Sequence, residues 1–190
     1  MEKNPFDDLR IKPEQVDNSI KWFRTQINNL SAARSLSIQS LMRQEDYLTK
    51  TLRPGRLYLY FYDPKFKDSL PYYDTVPLVY PYRKTSQGFI GYNLHYLPPV
   101  IRFKLMGVLT NIEMSTDLEK KKLAYTFGVL NSNEMNKYFA PCIKKYLSSH
   151  VKSRFLEIPY ESWMHAALLP TESFMKASKN KVWKDSLGKV

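Results

Sequence analysis

Histidine, cysteine and carboxylate are the side chains that could carry acid–base, nucleophilic or metal chemistry, and in this chain they are scattered. His95, His150 and His165 lie far apart. None is within four residues of another, or of the single cysteine, Cys142, so no metal-ligand spacing arises. If Cys142 and His150 shared one helix, eight residues would separate them by about 12 Å, too far for proton transfer. A buried, inert thiol is the expectation for Cys142. His95 falls in a tyrosine-rich strand and His165 in a helical stretch near Trp163, where hydrogen-bonded structural roles are expected. Asp63, Asp68 and Asp74 alternate with Pro and Lys, as carboxylates do when they cap turns; calcium-loop spacing is missing. The chain has 6 glycines and no glycine-rich phosphate loop. No catalytic residue, cofactor or metal site is therefore assigned, and a binding protein is favoured over an enzyme.

The second chemistry on offer is charge. Net charge is +11, from 29 Lys+Arg against 18 Asp+Glu. Residues 99–190 hold 15 of the basic groups and 8 of the acidic ones. Lys137, Lys144, Lys145, Lys152 and Arg154 form a block with no acidic residue between them. A nucleic-acid backbone is the simplest ligand for such a block, with a solvated helix face as the plainer alternative. Lys179, Lys181 and Lys184 continue the theme near the C-terminus. Trp183 among them suits either a partner's pocket or packing against the chain's own helices.

The third feature is tyrosine. Tyr58, Tyr60, Tyr62, Tyr72, Tyr73, Tyr80 and Tyr82 fall within 25 residues. Cross-strand packing ranks first as their role, a protein interface second, and stacking on unpaired bases third. Tyr58, Tyr60, Tyr62, Tyr72, Tyr73 and Trp183 are the candidate interface residues.

These side chains need elements to position them. Hydrophobic residues make up 43% of the 190 and aromatics 14%, enough for a folded core. A lone cysteine fits a reducing place of synthesis, and no secretory signal or apolar run of membrane-spanning length is expected. Residues 1–16 read as an extended arm, and 17–178 as a single α+β domain. Within it, 17–52 is a helical lead-in, 56–98 a small antiparallel β-meander, open or barrel-like, and 99–178 a helical part. A basic, extended tail, 179–190, follows. In Arg56–Tyr62 the side chains alternate, Leu57, Leu59 and Phe61 on one face and Tyr58, Tyr60 and Tyr62 on the other. Val76–Tyr82 holds Pro77 and Pro81, so an edge or a bulge is expected. Lys84–Gly88 reads as a hairpin and Phe89–Tyr96 as the third strand. Helices are expected from Pro99 to about Ile112, over Met135–His150 with a break at Pro141, from Pro159 to Leu168 and from Pro170 to Ala177, with a brief strand at Leu156–Ile158.

Residues 58–106 carry further strings: YFYDPK, LPYYDTVPLV, GFIGYNLHYLPP and then R-x-K-L-M. With PTESF and VWKDS near the end, they resemble a small virion or virion-assembly protein of large contractile-tailed bacteriophages, of the DNA end protector or head–tail completion kind. The resemblance spans residues 56–109 and 138–186. It implies a non-enzymatic virion structural or assembly protein, made in the host cytoplasm, with other virion proteins as partners and packaged DNA as a further one. A baseplate or tail-hub component and a general nucleic-acid-binding protein are the alternatives. No catalytic residues follow from it.

Overall fold

The computed structural model describes residue 42 and residues 45–114 and 139–187. The expected N-terminal arm, nearly all of the helical lead-in, the Ser115–Asn133 stretch and Lys137 lie outside the described residues.

The fold is mixed α and β. Six strands form one antiparallel sheet in the order β1-β7-β2-β4-β5-β6. They are β1 (Leu48–Thr49), β2 (Leu57–Leu59), β4 (Leu78–Thr85), β5 (Gly88–Asn93), β6 (Ile143–Leu147) and β7 (Phe155–Ile158). β3 (Tyr73–Asp74) and β8 (Phe174–Met175) pair separately. The described α-helices are α1 (Pro99–Met114), α2 (Trp163–Leu168) and α3 (Lys179–Leu187).

The meander is present as β2-β4-β5, joined by the expected hairpin at Ser86-Gln87. It is the middle of a larger sheet. β4 is therefore central, not an edge, although it carries Pro81 and follows directly on Pro77. A bulge makes this workable: Pro81 pairs with Gly91 and Arg83 with Ile90, leaving Tyr82 as the extra residue. Gly91 permits the close approach, since a Cβ there would meet Val79 Cγ1 at 2.5 Å. Gly55 ends the preceding Arg-Pro-Gly-Arg turn at φ 83°, a conformation glycine adopts without strain.

The alternation in 57–62 places side chains in two cores. Leu57, Leu59, Leu78, Tyr80 and Leu156 pack with Leu105, Met106 and Leu109 of α1, with Trp163 of α2 and with Val182 of α3. Tyr58, Tyr60 and Tyr62 form the other core with Val79, Phe89, Tyr146 and Phe155. Their rings meet edge to face: Tyr60 is 5.1 Å from Phe155 and 5.7 Å from Tyr146, centroid to centroid. Each such pair contributes about 0.5–1.5 kcal/mol beyond area burial.

The sheet does not close into a barrel, and its ladder ends at β1 and β6. After β6 the chain bends back across the start of the next loop instead. His150 and Asp63, Val151 and Tyr62, and Lys152 and Phe61 are joined there. This crossing roofs the tyrosine core.

Three helical expectations, and one of an extended tail, require correction. Met135–His150 is not one helix: a 3-10 turn at Ala140–Cys142 leads into β6 and a second turn at Ser148–His150. Pro141 ends the helical geometry, and Ile143-Lys144-Lys145-Tyr146-Leu147 supplies an edge strand that carries half-buried Lys144 and exposed Lys145. Pro170–Ala177 is not helical, because Phe174–Met175 pairs with Tyr73–Asp74. The lead-in ends in a 3-10 turn, Glu45–Tyr47, and strand β1 rather than in helix. The tail, expected to be extended, is helical from Lys179 to Leu187. Val182 is fully buried and the Trp183 indole binds the chain's own backbone, so the domain supplies the apolar contact that the tail lacks by itself.

Candidate nucleic-acid interface

The basic side chains converge where β1, the β4–β5 hairpin and the segment before β7 meet. Residues 152–154 are held against Phe61: Lys152 N donates to Phe61 O at 2.8 Å, and Phe61 N to Ser153 Oγ at 2.9 Å. Thr49 pairs with Phe155, which carries Lys50 toward Arg154. Lys84 comes from the hairpin, opposite Phe89. The result is an open groove of about 780 Å³ edged by Lys50, Lys84, Lys152 and Arg154 over Leu52, Phe89 and Phe155. Lys50, Lys84, Lys152 and Arg154 are all exposed. No carboxylate lines the groove among the described residues. Four cations around a shallow groove suit a polyanion's backbone rather than a single small anion.

A second depression, about 410 Å³, adjoins it. Leu147 lines this cleft and the next residue, Ser148, lines the groove. Its walls include Phe66, Tyr72 and Tyr73, with Lys65, Lys144 and Lys145. Lys144 Nζ stands 4.0 Å from the centroid of Tyr96, a cation–π geometry.

The basic block is therefore divided. Lys144 and Lys145 border the cleft and Lys152 and Arg154 the groove, while Lys137 is outside the described residues. Lys179, Lys181 and Lys184 ride on α3 and line neither depression. Lys181 is paired with Asp185 at 3.2 Å, and Lys179 Nζ is 5.6 Å from the Trp183 ring. Sequence reasoning passed over Lys50 and Lys84, which only strand pairing brings to the block. It also passed over Lys65-Phe66, although a basic–aromatic pair in a proline loop is visible in YDPKFK.

The candidate interface tyrosines separate as well. Tyr58 and Tyr60 are fully buried and Tyr62 nearly so, within the chain itself. That is the packing role, and it corrects the interface assignment for these three. Burial pushes the Tyr58 hydroxyl up to about 12, with the Arg53 amide opposing and Glu157 adding to the shift. Tyr72 and Tyr73 stay half-buried on the cleft. Trp183 Nε1 donates to His95 O at 2.9 Å, and Arg102 lies 5.9 Å from its ring. Trp183 thus serves the domain.

Titratable groups do gather in one buried place. His95 Nδ1 is 2.8 Å from Asp74 Oδ2, and His95 Nε2 is 3.0 Å from Thr171 Oγ1. Asp74 also accepts from Asn93 Nδ2 and from the Val76 amide, the turn-capping bond expected of it. Burial would raise the Asp74 carboxyl, but the attraction of His95 and these hydrogen bonds outweigh it and hold it below the usual carboxylate range. His95, Asp74 and Thr171 are all buried, and the array ties three distant segments together. His95 is accordingly a hydrogen-bonded structural histidine. Cys142 is fully buried in a 3-10 turn, donates to Phe139 O, and has its thiol pushed up by burial. Among the described residues no group of His, Cys, Asp and Glu is placed to hold a metal, and no helix is long and apolar enough to cross a membrane.

Neither a curated protein nor a solved structure matches this chain. A family model does, with the description phage T4 terminal DNA protecting protein, and it matches residues 13–186. That span takes in the sheet, both depressions and nearly all of α3, and on it the chain belongs to the phage T4 terminal DNA protecting protein family.

Proposed function

We propose that this protein binds the ends of a phage's linear DNA and shields them, without catalysis, as a component of the virion. The observation that carries the reading is the groove edged by Lys50, Lys84, Lys152 and Arg154, with no lining carboxylate among the described residues. The family's description, DNA terminal protection, supports it over a baseplate or tail-hub role. Cations held at strand ends meet successive phosphates without reading sequence, which is what protection of any terminus requires. The protein is made in the host cytoplasm and joins the packaged DNA at the head–tail region, where other virion proteins adjoin it.

The test uses the full chain with blunt linear duplex and with covalently closed circular duplex. Binding to linear DNA that falls steeply with salt, with protection of its ends from an added exonuclease, is the expected result. DNA affinity absent even at low salt, or equal exonuclease sensitivity with and without the protein, removes the proposal. Mass spectrometry of purified particles checks the virion placement through a fixed copy number.

A further inference from the structure

We infer that the aromatic cleft beside the groove is a subsite for unpaired nucleotides at a DNA terminus. The inference rests on the DNA-end reading above and adds a second ligand chemistry to it. The groove's rings, Phe89 and Phe155, are buried in the tyrosine core, so what it presents is charge. The cleft offers rings and charge together, the combination that holds single-stranded DNA.

The Phe66 ring is 62% exposed on the rim, an unusual position for a phenyl side chain in a folded domain. Tyr73 is half-buried beside it. Lys65, Lys144 and Lys145 supply cations within the same lining. The one carboxylate in its lining among the described residues, Asp74, is engaged by His95 and Asn93 and is 4% exposed. The nearby Asp63 is paired with Lys67 at 2.9 Å. The cleft's volume of about 410 Å³ falls within the range of about 300–1,000 Å³ usual for small-ligand sites.

The rim is also held in place. Lys176 Nζ donates to the carbonyls of Lys67, Asp68 and Leu70 at 2.6, 3.0 and 3.2 Å, gathering the turn that carries Phe66. Lys176 adopts φ 68° to make this clamp, a left-handed backbone uncommon outside glycine. A turn fixed before the ligand arrives loses less freedom on binding. Continuity of the two depressions at Leu147-Ser148 gives a path. A duplex lying along the groove would deliver its terminal, unstacked bases to Phe66 and Tyr73.

The experiment measures full-chain affinity for short oligodeoxythymidylate, blunt duplex and duplex with a single-stranded overhang. Wild type should bind the oligothymidylate and favour the overhang over the blunt end. Phe66→Ala should weaken oligothymidylate by about tenfold, leave blunt-duplex affinity unchanged and keep the thermal midpoint. Lys145→Gln should weaken oligothymidylate in the same selective way. Photocrosslinking from iodinated uracil should map to Phe66 or Tyr73. If overhang and blunt ends bind equally and Phe66→Ala changes neither, the subsite is overturned while groove binding stands. If oligothymidylate fails to bind and Phe66 is shielded only inside intact particles, the cleft holds a protein segment and the subsite is again overturned. Retained oligothymidylate binding with no blunt-duplex binding would support the cleft and overturn the groove instead.

Discussion

The indole nitrogen of Trp183 donates to the carbonyl oxygen of His95 at 2.9 Å, across 88 residues of sequence. His95 is itself pinned to Asp74 and Thr171, so the bond fastens α3 to a buried, hydrogen-bonded point of the domain. Truncation after Ser178 should lower the thermal midpoint clearly, because fully buried Val182 leaves with the helix. Trp183→Phe, which removes the hydrogen bond and keeps most of the ring, should cost about 0.5–1.5 kcal/mol in denaturant unfolding. An unchanged midpoint for the truncation would show that the helix serves a partner instead.

The tyrosine core makes a prediction about two hydroxyls. Tyr58 Oη accepts from the Arg53 amide at 3.0 Å and donates to Glu157 at 3.1 Å. The buried Tyr60 hydroxyl ends among rings without a well-formed hydrogen bond. Tyr60→Phe should therefore be neutral or stabilising, and Tyr58→Phe should lose about 1–2 kcal/mol. Equal losses in calorimetry would show that Tyr60 has a partner after all.

Acid should loosen the Asp74–His95 brace. The carboxyl is held below its ordinary value in the folded state, so the unfolded chain takes up its proton first as pH falls. The stabilisation is complete above an ordinary aspartate value of about 4 and declines below it. Asp74→Asn should be destabilised near neutral pH by about 1–3 kcal/mol, the loss expected when hydrogen bonds to a buried carboxylate are weakened. The gap from wild type should narrow below about pH 4. A gap that does not change with pH would assign the loss to packing alone.

Alkali acts on the opposite side. Burial raises Tyr58, Tyr60, Tyr92, Tyr96 and Tyr146. Their neutral forms stabilise the fold fully below an ordinary tyrosine value of about 10, and that contribution is lost as pH rises. Ultraviolet titration should show a late, cooperative tyrosinate step that coincides with loss of circular dichroism. A smooth rise near the ordinary value would contradict the burial.

Charge in the groove is testable by salt. Lys152→Gln with Arg154→Gln should reduce the slope of log affinity against log salt on blunt duplex by about 2, if each contacts one phosphate. Lys181→Gln, which breaks an exposed pair with Asp185, should leave the slope unchanged. An unaltered slope in the double variant would move the DNA elsewhere.

The parts of the fold legible in sequence were those set by local pattern. Alternation in 57–62 separated the two cores, and Pro99 opened α1 where expected. The errors came where tertiary contact overrides local preference. Pro170 suggested a helix start, but pairing across about a hundred residues made Phe174–Met175 a strand. Lysines in 179–190 suggested a solvated tail, but Val182 and Trp183 found a surface formed by distant segments. The candidate site was half legible. Lys152 and Arg154 stand in an unbroken basic run, whereas Lys50 and Lys84 join them only through the β1–β7 and β4–β5 ladders. The structural roles of His95 and Asp74 were legible, but their pairing with each other and with Thr171 was not, since nothing local announces a partner 76 residues away.

The position of β7 has a consequence for synthesis on the ribosome. This strand, Phe155–Ile158, sits between β1 and β2, Leu48–Thr49 and Leu57–Leu59. Two of the earliest strands made thus wait for one of the last, and their exposed edges go unpaired until it emerges. Such long-range pairing folds slowly and leaves nascent chains prone to association. A chain that stops before residue 155 has no partner for those edges, whereas one that includes β7 can complete its sheet.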